Sequence, residues 1–172
     1  MITLENLHKE IAVRSFKDFL SYVKVLDPPP GGTGVTQFQL WSHLVEVSDI
    51  LANSKLIVWL KARQIGASWL LAAYALWTAM YKQGATVLEF SQGQHEAMDL
   101  LYKSRFIWTY LPDYLRIRIG VDNRAELDFP DMYSRIVALP STTAAGRSVT
   151  STLVIMDEAD YHEYLDDNYA AV

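Results

Sequence analysis

The chain has 172 residues, enough for one domain, and carries 15 basic against 20 acidic side chains. A formal charge of -5 argues against a protein that coats nucleic acid through bulk electrostatics, so any DNA contact has to be local. Because the chain has no cysteine, disulfides, thiolate metal sites and cysteine nucleophiles are excluded.

Neither a leader nor a membrane segment is predicted. The first residues, MITLENLHKEIAVRSF, mix charged and apolar side chains and lack the apolar core of a signal peptide, which favours a cytosolic protein. The longest apolar stretch, residues 69–80, is too short for a bilayer, which takes about 20 apolar residues. No membrane partner is therefore expected.

The acidic excess lies at the C-terminal end, where residues 157–172 contain no lysine or arginine. Without the six carboxylates of this segment, 14 of the 20 acidic residues remain against 15 basic ones, so the rest of the chain is nearly neutral. The six are Asp157, Glu158, Asp160, Glu163, Asp166 and Asp167.

In chain order, apolar residues at helical spacing predict an N-terminal helical segment over residues 1–26, with the helix at 3–26. Ser15 and Asp18 are expected to form an internal cap in it. The prolines and glycines that follow predict a linker over 27–35, and the main domain is expected to cover 36–172.

From residue 36 onward, predicted helices and strands alternate. The helices are expected at about 37–52, 68–81 and 95–110, the strands at 55–60, 86–91, 134–139 and 152–156, and a hairpin between 116–121 and 125–129. Continuous apolar strands separated by helices indicate an α/β fold with a mostly parallel sheet covered on both faces. Such sheets bind ligands beyond the carboxyl ends of their strands, so the loops after Leu60, Phe90 and Met156 are the places to look.

The loop KARQIGAS has part of the pattern of a phosphate-binding loop. Such a loop needs backbone amides at a helix N-terminus, a glycine where a side chain would block the phosphate, a cation and a hydroxyl for Mg²⁺. Gly66 and Ser68 supply the glycine and the hydroxyl. Since Ala67 stands at the usual lysine position, the charge has to come from Lys61 or Arg63. The same residues also fit an ordinary turn before a buried helix.

The segment TLVIMDEAD places Asp157 and Glu158 side by side at the tip of an apolar strand. Adjacent strand residues point to different sides, so the Asp can hold Mg²⁺ while the Glu orients and deprotonates an attacking water. An acidic solvated loop explains the other four carboxylates but not this pair. A phosphate loop followed roughly 90 residues later by such a strand is the layout of an additional-strand, RecA-like P-loop NTPase with a three-layer αβα fold, binding ATP and Mg²⁺.

Three segments together resemble the ATPase domain of the large terminase subunit of tailed bacteriophages, over roughly residues 36–165. They are KARQIGAS, VLEFSQGQHEAMDL and ALPSTTAAGRSVTSTLVIMDEADYHE. The resemblance implies a DNA-packaging motor in the host cell cytoplasm that forms a ring on the portal protein of a procapsid. Its other partners would be the small terminase subunit and the double-stranded viral DNA that ATP hydrolysis drives inward.

By position, Arg63 matches the family's Walker A arginine, and Ser68 matches the hydroxyl on the Mg²⁺ side. Asp157 and Glu158 match the Walker B carboxylates. The resemblance also implies that the chain continues past Val172 into a coupling motif and a nuclease domain, so the isolated chain is expected to hydrolyse ATP slowly.

Two further positions are implied with alternatives left open. Gln39 resembles the family's adenine-reading glutamine, or is a polar residue on an amphipathic helix. Arg147 stands where the family places an arginine that reaches the neighbouring subunit's ATP, or is a solvated surface residue. The complete nucleotide-binding set is Gln39, Lys61, Arg63, Gln64, Gly66, Ala67 and Ser68, with Ser68 and Asp157 on the metal and Glu158, Arg63 and Arg147 in catalysis.

Three alternatives to this interpretation stay open. The letters DEAD at 157–160 occur in superfamily 2 helicases, although the loop lacks their GKT. A two-metal nuclease could use Glu126 and Asp128 with Asp122 or Asp131, but alternating carboxylates on a hairpin are usually its wet face. The third is a nucleotide-binding or ring-forming module that is inactive on its own.

Overall fold

The computed structural model describes residues 3–26, 34–143, 145–147 and 149–172, and it has mixed α/β architecture. The helices are α1 (Leu4–Arg14), α2 (Phe16–Phe19), α3 (Ser42–Asn53), α4 (Ala67–Tyr81), α5 (Gln94–Tyr110) and α6 (Leu165–Ala171). The strands are β1 (Lys24–Leu26), β2 (Val35–Gln37), β3 (Thr86–Ser91), β4 (Glu126–Phe129), β5 (Ser134–Pro140) and β6 (Leu153–Met156).

A mostly parallel four-stranded sheet, in the order β4-β5-β3-β6, forms the centre of the described structure. Strand β3 pairs in parallel with both β5 and β6, and β4 adds an antiparallel edge to β5. The register sets Phe90 beside Met156 and Ser91 beside Pro140. The carboxyl ends of three strands therefore meet at one edge of the sheet, as the alternating pattern predicts.

Helix α4 follows the predicted phosphate loop and is apolar nearly all round, which is typical of a helix buried in a core. Leu70, Ala73 and Leu76 on this helix have no solvent exposure. Helix α5 packs against α4, where the hydroxyl of Ser104 donates to the carbonyl of Ala72 (3.0 Å). The packing of α5 against α4 holds the start of α4, and hence Ser68, in a fixed position relative to the sheet.

The N-terminal segment joins the same core, but it is not one helix. Ser15 ends α1 and caps α2 by accepting a hydrogen bond from the backbone of Asp18, so the predicted internal cap is confirmed. The predicted helix is wrong at its end, since residues 24–26 form β1 and pair antiparallel with β2. Residues 27–33 of the predicted linker lie outside the described residues, while Val35 belongs to β2.

The predicted strand at 55–60 is wrong. These residues pair with no strand in the described part of the chain. Their side chains still alternate, because Ile57 and Trp59 pack on the core whereas Leu56, Val58 and Leu60 face solvent. The apolar pattern thus predicts one buried side correctly, while sheet membership depends on a neighbouring strand that local sequence does not specify.

The remaining elements agree closely with the predicted ones, apart from two boundaries and from α6, for which no helix was predicted. Helix α3 begins at Ser42 instead of about residue 37, because residues 35–37 are used in β2. In the predicted hairpin, 116–121 forms no strand; a short ladder joins Gly120 and Val121 to Asp128, and β4 pairs with β5 instead. None of the described helices has the length and apolar character to cross a bilayer.

Candidate functional site

Asp157, the residue after β6, is the centre of the candidate site. It is buried, with 8% of its surface exposed to solvent. Its Oδ2 accepts a hydrogen bond from the hydroxyl of Ser68 at the start of α4 (2.7 Å). Its Oδ1 lies 3.1 Å from Lys61 Nζ and also accepts the backbone N–H of Glu158 (3.0 Å). Two side chains from the distant segment 61–68 and the adjacent backbone N–H therefore converge on one buried carboxylate.

The loop before α4 turns sharply because two of its residues adopt left-handed backbone conformations. Gln64 has φ +61° and Gly66 has φ +80°, and Gly66 is the N-cap of α4. A Cβ at Gly66 would lie 3.2 Å from Leu44 Cδ1. His43 Nε2 lies 3.2 Å from the carbonyl oxygen of Ile65 and ties the loop to α3. The glycine is therefore required both by the turn and by the close approach of α3.

The two candidate cations of the loop lie in different environments. Lys61 is partly buried beside Asp157. Arg63 is exposed and has no ion-pair partner within the described ranges, and Gln64 is exposed as well. Lys61 therefore offsets the charge of the buried carboxylate, while Arg63 is available to an incoming anion. Ala67 is buried, so at the usual lysine position the chain contributes only backbone.

Glu158 differs from its neighbour in both exposure and backbone. Its side chain is exposed, and its φ of +55° is left-handed, which is uncommon for a residue with a Cβ. The carbonyl of Asp157 is 2.9 Å from Nε2 of the buried His162. The two adjacent carboxylates thus have separate surroundings, as the strand-tip pattern predicts, but through a strained turn and not through simple strand alternation.

Glu89 is a buried carboxyl that the motif analysis missed. It is fully buried in the middle of β3, beside Ile155 of β6, and its Oε1 lies 3.4 Å from Ser104 Oγ. Burial raises the pKa of Glu89 to about 8, and the nearby charge of Asp157 acts in the same direction. A lone carboxylate inside the continuous apolar run TVLEFS was the signal that could have revealed it.

The remaining predicted site residues lie at the surface. Gln39 is exposed, but it follows Phe38, a buried ring that lies 3.6 Å from the position of a Cβ at Gly66. Arg147 is exposed and pairs with Asp167 of α6 (3.7 Å). The roles of Gln39 at adenine and of Arg147 at a neighbouring subunit stay predictions.

The carboxylates of the nuclease alternative are each occupied by another group. Asp122 pairs with Arg105, Asp131 with Arg118 and Glu126 with Arg135, and Asp128 accepts the backbone N–H of Val121. Across the described residues, no group of three or more His, Asp or Glu side chains is placed to hold a metal ion. This arrangement fits the wet face of a hairpin better than a two-metal centre.

The donors at Asp157 nevertheless fit a Mg²⁺ ion that is shared with a phosphate. Mg²⁺ prefers hard oxygen ligands and is usually held by one or two protein oxygens plus waters and substrate phosphates. Ser68 Oγ and Asp157 Oδ2 are two such oxygens already in contact, and neither needs a third protein ligand. Two oxygens of this kind fit a metal ion that would be held together with a phosphate ligand, and they do not form a closed protein cage.

These features define a class: a mostly parallel α/β sheet with a loop-to-helix turn and a strand-end aspartate meeting at its carboxyl edge. Among solved structures, the chain is similar to the crystal structure of the HK97 bacteriophage large terminase, with a TM-score of 0.69 and 16% sequence identity. The match covers 92% of this chain and 34% of that one, so the chain spans about a third of its length. No family model and no curated protein matches the sequence. The likeness shows a terminase-like fold.

Proposed function

We propose that this chain is a Mg²⁺-dependent ATP hydrolase with a P-loop, RecA-like arrangement. The observation that carries the proposal is the hydrogen bond between Ser68 and Asp157, which are 89 residues apart in the sequence. A hydroxyl opening a helix and a carboxylate ending a parallel strand are the pair that such enzymes use around a nucleotide-bound metal. Both residues were assigned to one Mg²⁺ ion from two separate sequence motifs.

The residues of the loop are proposed to bind the phosphates. Backbone N–H groups at the start of α4 favour an anion, and the turn at Gly66 keeps side chains away from it. Arg63 provides an accessible guanidinium, Lys61 a second cation, and Gln64 an exposed amide. Gln39 is proposed to lie at the adenine.

Ser68 and Asp157 are proposed to hold the Mg²⁺ ion, which when bound neutralises charge on the phosphates. Glu158 is proposed to accept the proton of the attacking water. Its exposure keeps it accessible to substrate, and its neighbour Asp157 stays engaged with Ser68 and Lys61. The two carboxylates thereby perform different tasks.

We further propose that the ATPase belongs to a viral DNA-packaging motor, and the terminase-like fold supports this choice over the helicase alternative. In this setting the chain would act in the host cell cytoplasm as a ring on a portal protein, with a small terminase subunit and double-stranded DNA as partners. Arg147 would leave Asp167 and act on the neighbouring subunit's nucleotide.

The first test compares Glu158→Gln with a matched variant, Glu163→Gln, which changes an exposed glutamate of the same acidic segment. Glu158→Gln should keep Mg-ATP binding and lose hydrolysis by about 10²- to 10⁴-fold, the usual contribution of a general base. Glu163→Gln should match the wild type. Binding is measured with a fluorescent ATP analogue and hydrolysis by phosphate release at several protein concentrations.

Equal hydrolysis by the wild type and Glu158→Gln would reject the general-base role. The turnover number of the wild type is expected to be low and to rise with protein concentration, because Arg147 is proposed to act on the nucleotide of a neighbouring subunit. Stimulation by double-stranded DNA supports the packaging motor, whereas stimulation by RNA with strand separation supports the helicase.

A further inference from the structure

His162 is buried behind the turn that carries the two carboxylates, although it belongs to an acidic, mostly exposed segment. It is 7% exposed, while its neighbours Tyr161 and Glu163 are exposed. Its Nε2 lies 2.9 Å from the backbone carbonyl oxygen of Asp157. No motif explains this histidine, since HEYLD does not match the HExxH zinc pattern.

The contact identifies which ring nitrogen carries hydrogen. A carbonyl oxygen only accepts, so Nε2 of His162 must be the donor. Nδ1 is buried and has no hydrogen-bond partner in the part of the chain that the structure describes. The ring therefore makes one hydrogen bond, directed at the main chain of the candidate site.

That hydrogen bond lies at the strained point of the turn. Glu158 has φ +55° and ψ +41°, a left-handed conformation that costs free energy for a residue with a Cβ. After it, the backbone closes a short 3₁₀ turn, in which Tyr161 N–H donates to the Glu158 carbonyl (2.9 Å) and His162 N–H to the Ala159 carbonyl (3.0 Å). The imidazole holds the carbonyl on the other side of Glu158, so the strained residue is fixed from both sides.

We infer that His162 is a positioning residue of the candidate site. Its Nε2–H holds the peptide between Asp157 and Glu158 in the orientation that keeps Asp157 against Ser68 and leaves Glu158 free in solvent. Without this bond the peptide can rotate, and Glu158 can relax to a right-handed or extended backbone that displaces its carboxylate. The kinetic consequence rests on the proposed function, but the positioning itself does not.

The first arm of the test uses no nucleotide. Glutamine can offer an N–H near the position of His Nε2, whereas the shorter asparagine and the apolar leucine cannot. NMR shifts of the Asp157 carbonyl carbon and the Glu158 Cα should change in His162→Asn and His162→Leu and return toward wild type in His162→Gln. His95→Gln is the control, because His95 is exposed on α5.

The wild-type ring adds a readout that needs no folded variant. Its ¹⁵N shifts should show hydrogen on Nε2 and a bare Nδ1, and the opposite tautomer would overturn the inference. So would wild-type carbon shifts in His162→Asn, or equal changes in His162→Gln and His162→Asn.

The second arm measures Mg-ATP hydrolysis. His162→Asn should lower kcat by about 10- to 100-fold, the size expected when a catalytic group is displaced by around 1 Å, with KM for ATP nearly unchanged. His162→Gln should recover most of the loss. A rise in KM with unchanged kcat would contradict positioning of Glu158. If the wild type neither binds nor hydrolyses ATP, the proposed function fails, and the NMR arm still decides the role of His162.

Discussion

Replacing Glu89 by glutamine should change how the stability of the protein depends on pH. The carboxyl of Glu89 is fully buried in β3, and burial raises its pKa from the ordinary 4.5 to about 8. Its Oε2 has no hydrogen-bond partner among the described residues. In the folded protein the group is therefore expected to be neutral at pH 7, when the protonated carboxyl can donate to Ser104 Oγ, which in turn donates to Ala72.

The expected magnitude follows from proton linkage. Between about pH 4.5 and pH 8 the folded state holds a proton on Glu89 that the unfolded state has lost. Each pH unit in this window lowers the free energy of unfolding by about 1.4 kcal/mol, which gives about 3 kcal/mol between pH 5 and pH 7 and about 5 kcal/mol over the whole window. The contribution is complete below the unfolded pKa and is lost as the pH rises through the folded one.

Glutamine has nearly the same shape as glutamate and no charge at any pH. Glu89→Gln therefore removes the contribution of this group to the slope of unfolding free energy against pH. At pH 5 the variant should be less stable than wild type by about 1–3 kcal/mol, since its amide brings buried N–H groups that lack acceptors. At pH 8 it should be the more stable of the two. The control is Glu46→Gln, at an exposed position on α3.

Urea unfolding at pH 5, 6, 7 and 8 measures the difference between each variant and wild type, which cancels titrations common to both. The Glu89→Gln difference should change sign across the series, and the Glu46→Gln difference should stay flat. If the free energies of wild type and Glu89→Gln ran parallel over this range, the carboxyl would not be held neutral by burial, and the reasoning would be refuted.

Two further predictions concern local backbone. Gly66→Ala should destabilise the protein more than Gly84→Ala. Both positions have a positive φ, which costs an alanine about 1–2 kcal/mol. A Cβ at Gly66 would also lie 3.2 Å from Leu44, whereas a Cβ at Gly84 would have nothing within 4 Å. If both variants lost the same free energy of unfolding in urea, Leu44 on α3 would move away from the new Cβ at no cost, and the steric argument would be rejected. Ser15→Ala should lower the free energy of unfolding by about 1 kcal/mol, because α2 loses its N-cap. Ser15→Asp can accept the same hydrogen bond and should retain most of the stability. An unchanged free energy of unfolding in Ser15→Ala would count against the cap.

The strands and helices that form the site were predictable because their apolar runs are long and bounded by turn residues. β3 and α4 agree with the predicted ranges within a residue. The prediction of a strand at 55–60 was wrong for a physical reason. Alternation of apolar residues determines which side of an extended segment is buried, whereas hydrogen bonding to a sheet requires a partner strand that tertiary structure places beside it. β1 was missed because its three residues follow directly on a helical pattern and pair across the Pro/Gly stretch.

Within the site, motif spacing was sufficient to predict that Ser68 and Asp157 lie at the same edge of the sheet, because a residue after a parallel strand and a residue at a helix start have few places to lie. Their role at a metal stays a prediction. It could not separate Lys61 from Arg63, since both stand in one loop and side-chain direction decides which reaches Asp157. His162 gave no sequence signal at all: its contact is with a backbone carbonyl, and every residue has one.

The candidate site therefore depends on a buried charge balance more than on any single motif. Asp157 is shielded from solvent, yet it accepts a hydroxyl and a backbone N–H and faces an ammonium, so its carboxylate is compensated before any ligand arrives. Glu89, one strand away, lacks such compensation and is expected to be neutral instead. A second ionised carboxyl there would add repulsion beside Asp157. A neutral Glu89 therefore adds no repulsion beside Asp157, whose contacts with Ser68 and Lys61 are already made within the protein.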